Sequence, residues 1–224
     1  MNGILILNKP KGMTSFAVVN TIHKLTKAKA GHAGTLDPMA TGILVILLGK
    51  ATKSAKLFES SDKEYEAEMT FGVETDSLDS TGKVLSERKA AVTKEQLLSV
   101  MKEFEGEIEQ VPPMVSAIKK QGVRLYKLAR RGIEVEREPR RITIHRLELT
   151  SFSGDKATIR VVCSKGTYIR SLCADIGAKL GCGAVMSGLV RTRSGEYSLN
   201  DAISLEEAIK LHNVGELEGK ICLV

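Results

Sequence analysis

A single carboxylate in a glycine-rich segment is the group in this sequence best suited to chemistry. Asp37 lies within residues 31–42 and directly precedes Pro38. A proline biases the residue before it towards extended backbone, so the carboxylate is aimed rather than mobile. A carboxylate is ionised at pH 7 without assistance and can serve as a nucleophile. The alternative is an ordinary loop in which the Asp side chain bonds to its own turn.

Positive charge is the second chemical feature, and it is concentrated in one segment. Residues 119–141 contain nine basic and three acidic residues, so this segment alone carries the formal charge of +6 that the whole chain has. A basic block of this kind is the footprint expected of a phosphate-binding surface. The alternative is a solvated helix face of mixed charge.

The composition sets limits on the fold and on the compartment. A chain of 224 residues can form one large domain or two small ones. The apolar run at residues 4–7 is too short for a signal peptide, and the run at residues 43–48 is too short to cross a bilayer. We therefore expect a cytoplasmic protein without a membrane segment. The cysteines lack CxxC spacing and are expected to be small buried thiols, namely Cys163, Cys173, Cys182 and Cys222.

The elements that must position these residues include several strands. Apolar runs at residues 3–7 and 43–48 predict buried strands, and residues 157–163 alternate as a strand does. Residues 64–71 also alternate, which places Tyr65 on the inward face of its strand. In residues 142–149 the apolar positions change phase, which predicts a β-bulge near His145.

Helices are predicted between these strands by their caps and their apolar spacing. One begins at Thr14 or Ser15, a second at the capping box that Thr93 opens, a third at about Thr167, and a short last one at Ser204. Strands and helices intermix without a regular βαβ rhythm. This favours an α+β fold with a mixed, largely antiparallel sheet flanked by helices.

Two segments resemble cofactor-binding motifs but lack residues that those motifs require. Residues 42–50 resemble a P-loop, but Leu44 stands where its first glycine should be and Ala51 replaces the hydroxyl that would hold Mg²⁺. Residues 181–186 begin a GxGxxG motif, but Met186 occupies the third glycine position. The four histidines have no metal-ligand spacing. We therefore expect neither a nucleotide cofactor nor a metal.

Segments in the same order along nearly the whole chain resemble those of the TruB family of pseudouridine synthases. The Asp37 segment is similar to the family's nucleophile loop, and the other segments are similar to its opening strand with a Lys-Pro turn, its Tyr-bearing strand, its Arg motif and its last core motif. These are residues 3–15, 31–42, 62–65, 164–171 and 188–192.

The resemblance implies an isomerase that converts uridine 55 in the T loop of tRNA to pseudouridine, with a flipped-out target base. By resemblance Asp37 is the nucleophile, Arg170 is its ion-pair partner, and Tyr65 stacks on the uracil near C5. His32 takes the place of the flipped nucleotide or wedges into the loop, and Tyr168 and Leu189 line the uracil pocket. The resemblance implies that Lys9 and Pro10 shape the floor beneath the Asp37 loop.

Residues 111–141 resemble the family's thumb, an insertion that clasps the T arm of tRNA. The thumb contains the basic block, and we expect six of its residues to contact RNA: Lys119, Lys120, Arg124, Lys127, Arg130 and Arg131. We expect a catalytic domain over residues 1–212 and a short tail over 213–224 without a complete RNA-binding PUA domain. Transfer RNA is the expected partner, and the enzyme is expected to act as a monomer without an obligate protein partner.

Other hypotheses differ in class. The first is a non-catalytic RNA-binding or tRNA-folding module, which has no need of Asp37, Tyr65 and Arg170 together. The second is a guide-RNA-dependent synthase, which the bacterial-type thumb disfavours. The sequence does not decide whether Asp37 attacks C1′, attacks C6, or assists formation of a glycal.

Overall fold

The computed structural model describes residues 1–222 and divides the chain into two compact units. Unit 1 consists of residues 1–66 together with the chain from residue 189 onwards, and unit 2 of residues 67–188. The helices of unit 1 are α1 (Ser15–Thr26), α2 (Ala55–Glu59) and α6 (Leu205–Asn213), with 3-10 turns at Gly49–Ser54, Leu199–Asp201 and Leu217–Lys220. Those of unit 2 are α3 (Lys94–Lys102), α4 (Leu125–Ala129) and α5 (Ile169–Lys179).

The strands of unit 1 are β1 (Gly3–Lys9), β2 (Ala30–Ala33), β3 (Thr41–Leu48), β13 (Tyr197–Ser198), β14 (Ile203–Ser204), and the ends of β4 (Lys63–Phe71) and β12 (Ala184–Ser194) that fall within it. Their order is β14-β1-β3-β12, with β2 paired to β3 and β13 to β12. The long β1–β3 pair is antiparallel, whereas β14 runs parallel to β1 and β12 parallel to β3.

Apolar side chains on both faces explain why β1 and β3 form where the sequence predicts them. One face packs against α1 and α6, and the other packs against the 3-10 turn at Gly49–Ser54 and against α2. Both strands are therefore continuous apolar runs without alternation, as expected of strands covered on two sides. The loop that bears Asp37 leads directly into β3, so the C-terminal end of the loop is attached to a fixed strand.

The strands of unit 2 are β5 (Val73–Thr75), β6 (Val84–Glu87), β7 (Gly106–Gln110), β8 (Lys119–Lys120), β9 (Val123–Arg124), β10 (Arg140–Phe152), β11 (Lys156–Cys163), and the parts of β4 and β12 within it. Here the order is β4-β11-β10-β7, with separate hairpins β5–β6 and β8–β9. The bulge is confirmed, because the register of β10 shifts between Ile144 and Arg146. A second shift, between Leu149 and Ser151, was not predicted.

The predicted α+β class is confirmed, since strands pair in both directions and helices intermix with them. The thumb joins β7 to β10, whose facing ends pair at Gln110 and Arg140. Its last two residues, Arg140 and Arg141, already belong to β10, so the connection itself is residues 111–139. Within residues 1–222, no helix is both long and apolar enough to span a membrane.

Two expectations about local structure are wrong. Residues 30–33 form β2 rather than loop, because their backbone pairs with β3 from Ala30–Leu48 to Ala33–Val45. Cys222 is exposed, whereas the other three cysteines are buried as expected. Cys222 bonds through its backbone to Ile4, so this part of the predicted tail lies against β1 while its side chain faces outwards. Residues 223 and 224 lie outside the described residues.

Candidate active site

The loop carrying Asp37 runs through residues 34–40, between β2 and β3 of unit 1. Asp37 is partly exposed, and its carbonyl accepts a hydrogen bond from the N–H of Ala40 at 3.1 Å. The next carbonyl, that of Pro38, accepts from the N–H of Gly12 at 2.7 Å. The turn after β1 thus touches the residue beside the carboxylate.

Ser15 fastens the other side of Asp37, a contact that the sequence does not predict. Its Oγ donates to the carbonyl of Leu36 at 3.0 Å and accepts from the N–H of Leu36 at 2.9 Å. Thr14 is the cap of α1, since its side chain accepts from the N–H of Ala17. Of the two predicted candidates Thr14 therefore caps the helix, and Ser15 is left to hold the loop.

Lys9 lies beneath the loop and is completely buried. Its Nζ donates to the carbonyls of Met13 at 2.6 Å, Pro10 at 2.9 Å and Pro38 at 3.3 Å. Burial lowers the pKa of Lys9 to about 8, and the negative charge of Asp37 opposes that shift. The ammonium is therefore close enough to Asp37 for the two opposite charges to attract.

Arg191, on β12, holds the two ends of the loop and is only 1 % exposed. Its Nη2 donates to the carbonyl of Gly34 at 3.0 Å and its Nε to that of Ile43 at 2.8 Å. A Cβ on Gly42 would lie 2.3 Å from the Arg191 carbonyl oxygen, so only glycine fits there. The sequence places Arg191 in a core motif but gives no signal for this contact.

His32 lies on β2, beside the loop and not in it. Burial and the charge of Arg191 both lower the pKa of His32, so the imidazole is neutral at pH 7. Its Nδ1 is buried and has no hydrogen-bond partner among residues 1–222. The residue is thus a partly exposed, neutral ring next to the carboxylate loop.

Tyr65 and Leu189 are the remaining predicted site residues of unit 1. Tyr65 is partly exposed near the start of β4, on the same side as the buried residues Ala67 and Met69, which confirms the predicted alternation. Leu189 is buried on β12. Nearby, Thr192 Oγ1 donates to a carboxylate oxygen of Glu64 at 2.8 Å, which ties β12 to the beginning of β4.

Arg170 lies in the first turn of α5 in unit 2 and is 4 % exposed, so it is not a surface arginine. Its Nη1 donates to the Ser77 carbonyl at 3.0 Å and its Nη2 to the Val115 carbonyl at 2.8 Å. Its Nε is 3.8 Å from Oδ2 of Asp79. These contacts hold the plane of the guanidinium in one orientation.

Asp79 is a buried residue that the sequence does not single out. Its Oδ1 accepts from Ser77 Oγ at 2.8 Å and from Thr81 at both N, 2.9 Å, and Oγ1, 2.6 Å. The polar run of residues 76–81 indicates a turn, but nothing in it points to an arginine more than ninety positions away. Tyr168, the cap position of α5, has both backbone groups bonded to Gln110.

The thumb is anchored at its root, residues 110–115, where the carbonyls of Val111 and Val115 accept from Ser171 and Arg170, and its basic part is exposed. All six basic residues predicted to contact RNA are at least partly exposed: Lys119, Lys120, Arg124, Lys127, Arg130 and Arg131. Arg130 lies 5.5 Å from the centre of the Tyr126 ring, and Lys120 donates to the Glu136 carbonyl at 2.5 Å. Arg137 is ion-paired to Glu134 at 3.0 Å. Six cations thus remain accessible to phosphate.

The structure therefore brings Asp37 together with Lys9, His32 and Arg191 in unit 1, and Arg170 with Asp79 and Tyr168 in unit 2. The predicted pairing of Asp37 with Arg170 stays a prediction. Within residues 1–222 no group of three or more His, Cys, Asp or Glu side chains is placed to hold a metal ion.

An α+β fold with a fixed aspartate loop in unit 1 and a buried arginine at the start of α5 in unit 2 is compatible with a pseudouridine synthase, and comparison with known proteins shows that class. The family model described as TruB family pseudouridylate synthase (N terminal domain) matches residues 22–169, and that described as tRNA pseudouridylate synthase B C-terminal domain matches residues 170–216. The chain belongs to the TruB family, and it is an enzyme of the tRNA pseudouridine synthase type.

Curated relatives agree with this assignment. A tRNA pseudouridine synthase B from Azoarcus sp. (strain BH72) is 51% identical over 207 residues, covering 92% of this chain and 69% of the relative. One of the same name from Protochlamydia amoebophila (strain UWE25) is 51% identical over 220 residues, covering 97% of this chain and 82% of the relative.

Solved structures confirm the fold. A chain of a Cbf5-Nop10-Gar1 complex matches with a TM-score of 0.76 and 36% identity over 97% of this chain. A chain of an H/ACA RNP bound to a substrate RNA containing 2'-deoxyuridine matches with a TM-score of 0.72 and 32% identity, again over 97% of this chain. The present chain spans 56% and 55% of those two chains.

Proposed function

We propose that this enzyme isomerises uridine 55 in the T loop of tRNA, with Asp37 as the nucleophile. In that reaction the C1′–N1 bond breaks, the uracil rotates and C1′ bonds to C5, which loses its proton while N1 gains one. No oxidant or energy source is consumed. The target must first be flipped out of its stack, which costs a few kcal/mol and least in a loop.

The observation that carries this proposal is the fixation of the Asp37 loop. Side chains of Lys9, Ser15 and Arg191 bond to the backbone on both sides of the carboxylate, while Asp37 itself stays partly exposed. A preorganised, accessible and ionised carboxylate is what nucleophilic attack requires. Attack at C1′, attack at C6 and assistance to a glycal would all use this same group.

The proposed roles of the other residues follow from their chemistry. Arg170 would bind the Asp37 carboxylate through its planar fork and keep it anionic when water is excluded. Tyr65 would stack on the uracil near C5, and Tyr168 and Leu189 would line its pocket. His32, neutral beside the loop, would take the space that the flipped nucleotide leaves or would wedge into the T loop.

The thumb would supply the contacts to the T arm through its six accessible basic residues. We propose that the enzyme acts alone, as a monomer in the cytoplasm, without a cofactor. Identity of 51% to relatives named tRNA pseudouridine synthase B supports action alone over action within a protein complex, since the matched chain of the Cbf5-Nop10-Gar1 complex is 36% identical.

Tritium release from T-arm RNA labelled with [5-³H]uridine tests the proposal. We expect release by the wild-type protein, none by Asp37→Asn, and retained RNA binding by that variant, because the amide keeps the shape but is not a nucleophile. Asp155→Asn, at an exposed carboxylate in the β10–β11 turn, is the matched control and should release normally.

Two outcomes would contradict the proposal. Tritium release by Asp37→Asn protein that is free of deamidated material would show that Asp37 is not the nucleophile. Undiminished release from RNA in which uridine 55 is replaced by cytidine would place the reaction at another nucleotide.

A further inference from the structure

We propose that Gln110 is a positioning residue for the reaction, because its side chain fixes the backbone of Tyr168 and joins the root of the thumb to the turn that carries Arg170. The inference rests on the proposed function, in which Tyr168 and Arg170 act on the uridine and on Asp37. It concerns contacts made wholly within unit 2.

Gln110 is the last residue of β7 and is 2 % exposed. Its Oε1 accepts from the N–H of Tyr168 at 2.8 Å, and its Nε2 donates to the carbonyl of Tyr168 at 3.1 Å. One side-chain amide therefore bonds to both backbone groups of a residue 58 positions away in the chain, and the Tyr168 carbonyl also accepts from the N–H of Leu172 at 3.0 Å. The Gln amide carries its donor and its acceptor on separate atoms, and Asn, the other amide side chain, is one methylene shorter.

The bond from the Tyr168 N–H to Gln110 Oε1 acts as a helix cap. Tyr168 is the cap position of α5, and no side chain of its own caps that helix. The first N–H groups of a helix have no partner within it, and a buried helix start needs one. Gln110 supplies an acceptor at this position from another strand, so α5 cannot rotate about its first turn without breaking the pair.

The next residues of α5 continue the connection. Ser171 Oγ donates to the carbonyl of Val111 at 3.0 Å, and Arg170 Nη2 donates to that of Val115 at 2.8 Å. Three residues of one turn are thus bonded to three residues at the thumb root. A displacement at the root is transmitted to Tyr168 and Arg170 through these bonds.

This arrangement separates two properties of the thumb. Its accessible basic residues would govern RNA affinity, while its root would govern the placement of groups that act on the base. Removal of the Gln110 amide should therefore lower the rate of the chemical step and leave the affinity for tRNA unchanged.

The test is Gln110→Leu, which keeps the approximate size of the side chain and removes both bonds. Under single-turnover conditions with saturating enzyme we expect pseudouridine formation to slow by about ten- to a hundredfold, the range for a small misplacement of reacting groups. The Kd for T-arm RNA, measured by filter binding, should match that of the wild-type protein.

A spectroscopic measurement distinguishes positioning from reduced stability. The chain has four tyrosines, so 3-fluorotyrosine gives few ¹⁹F resonances, and Tyr168→Phe identifies the one of interest. We expect Gln110→Leu to shift or broaden the Tyr168 resonance alone. Ile159→Val, which shortens a buried side chain of β11 in the same unit, is the stability control and should keep both the spectrum and the rate.

A wild-type rate in Gln110→Leu, or a change in Kd alone, would overturn the inference. If Gln110→Leu does not fold, Gln110→Glu keeps the acceptor for the Tyr168 N–H and removes the donor; an unchanged rate in that variant would overturn it equally. If the wild-type protein forms no pseudouridine in T-arm RNA, the proposed function fails, whereas the fluorine spectrum still reports whether Gln110 fixes Tyr168.

Discussion

The Asp37 loop and the thumb both depend on basic residues, but they use them in opposite ways. Around the loop the cations Lys9 and Arg191 are buried, and their hydrogens go to backbone carbonyls. Over the thumb the cations are accessible to solvent. Buried cations that bond to backbone carbonyls fix the position of the loop. Accessible cations instead provide a positive potential that attracts phosphate in many geometries. Changes to the buried cations around the loop should therefore affect rate, and changes to the accessible cations of the thumb should affect affinity.

Apart from the loss of Asp37 itself, the largest effect on rate is expected at Arg170. Arg170→Lys replaces a fork that bonds to two carbonyls by a point charge that cannot reproduce it. We expect kcat to fall by about a hundredfold or more, with little change in tRNA affinity. Single-turnover and binding measurements on the same preparation check this, and a near-normal kcat would mean that Arg170 does not orient Asp37.

The next largest effect should come from Gly42→Ala, which tests the close approach of β3 to β12. The added Cβ would lie 2.3 Å from the Arg191 carbonyl oxygen, at a φ of +100°. We expect the free energy of unfolding to fall by more than about 2 kcal/mol, beyond the cost of positive φ alone. Gly154→Ala is the matched control, because its φ is +81° and nothing lies within 4 Å of the added atom. Equal decreases in the free energy of unfolding of the two variants, measured by chemical denaturation, would contradict the clash.

A smaller effect is expected at Ser15. Ser15→Ala leaves both backbone groups of the buried Leu36 without their partner, which costs about 1–3 kcal/mol. Because Leu36 adjoins Asp37, we expect kcat to fall by about tenfold while the Kd for tRNA is preserved. Thr14→Ala removes the neighbouring cap of α1 and serves as the control, with reduced stability and no specific decrease in rate. A specific decrease in kcat for Thr14→Ala and not for Ser15→Ala would mean that the helix cap, and not Ser15, holds the Asp37 loop in place.

The smallest effect on turnover is expected in the thumb. The double change of Arg130 and Arg131 to Gln should weaken tRNA binding and flatten the salt dependence of log K by about one unit for each phosphate that is no longer neutralised. Turnover of saturating substrate should change little. A collapsed kcat with an unchanged salt slope would instead place these arginines beside the reacting base.

The contrast between the two regions also separates what the sequence predicts from what it leaves out. Apolar runs and alternation locate β1, β3, β4 and β11, and the phase change locates the bulge in β10. These signals are local because the buried faces of a strand determine the spacing of its apolar residues. Strand β2 is missed because Ala, Gly and His have no strand pattern, and its existence depends on pairing with β3.

Candidate site residues divide in the same way. Asp37, Tyr65 and Arg170 are indicated by resemblance of short segments. The contacts of Ser15 with Leu36, of Asp79 with Arg170 and of Gln110 with Tyr168 are not indicated, because each joins residues far apart in the chain. Such an interaction depends on the tertiary fold and leaves no local pattern of residue types.

Unit 1 is built from two separated stretches of chain, and this has a consequence for synthesis on the ribosome. Arg191 bonds to Gly34 across 157 residues and to Ile43 across 148. During translation the whole of unit 2 emerges before the guanidinium that holds both ends of the Asp37 loop. A nascent chain that has not reached residue 191 therefore carries the aspartate without its clamp, and the Asp37 loop is fully fixed only after Arg191 has emerged.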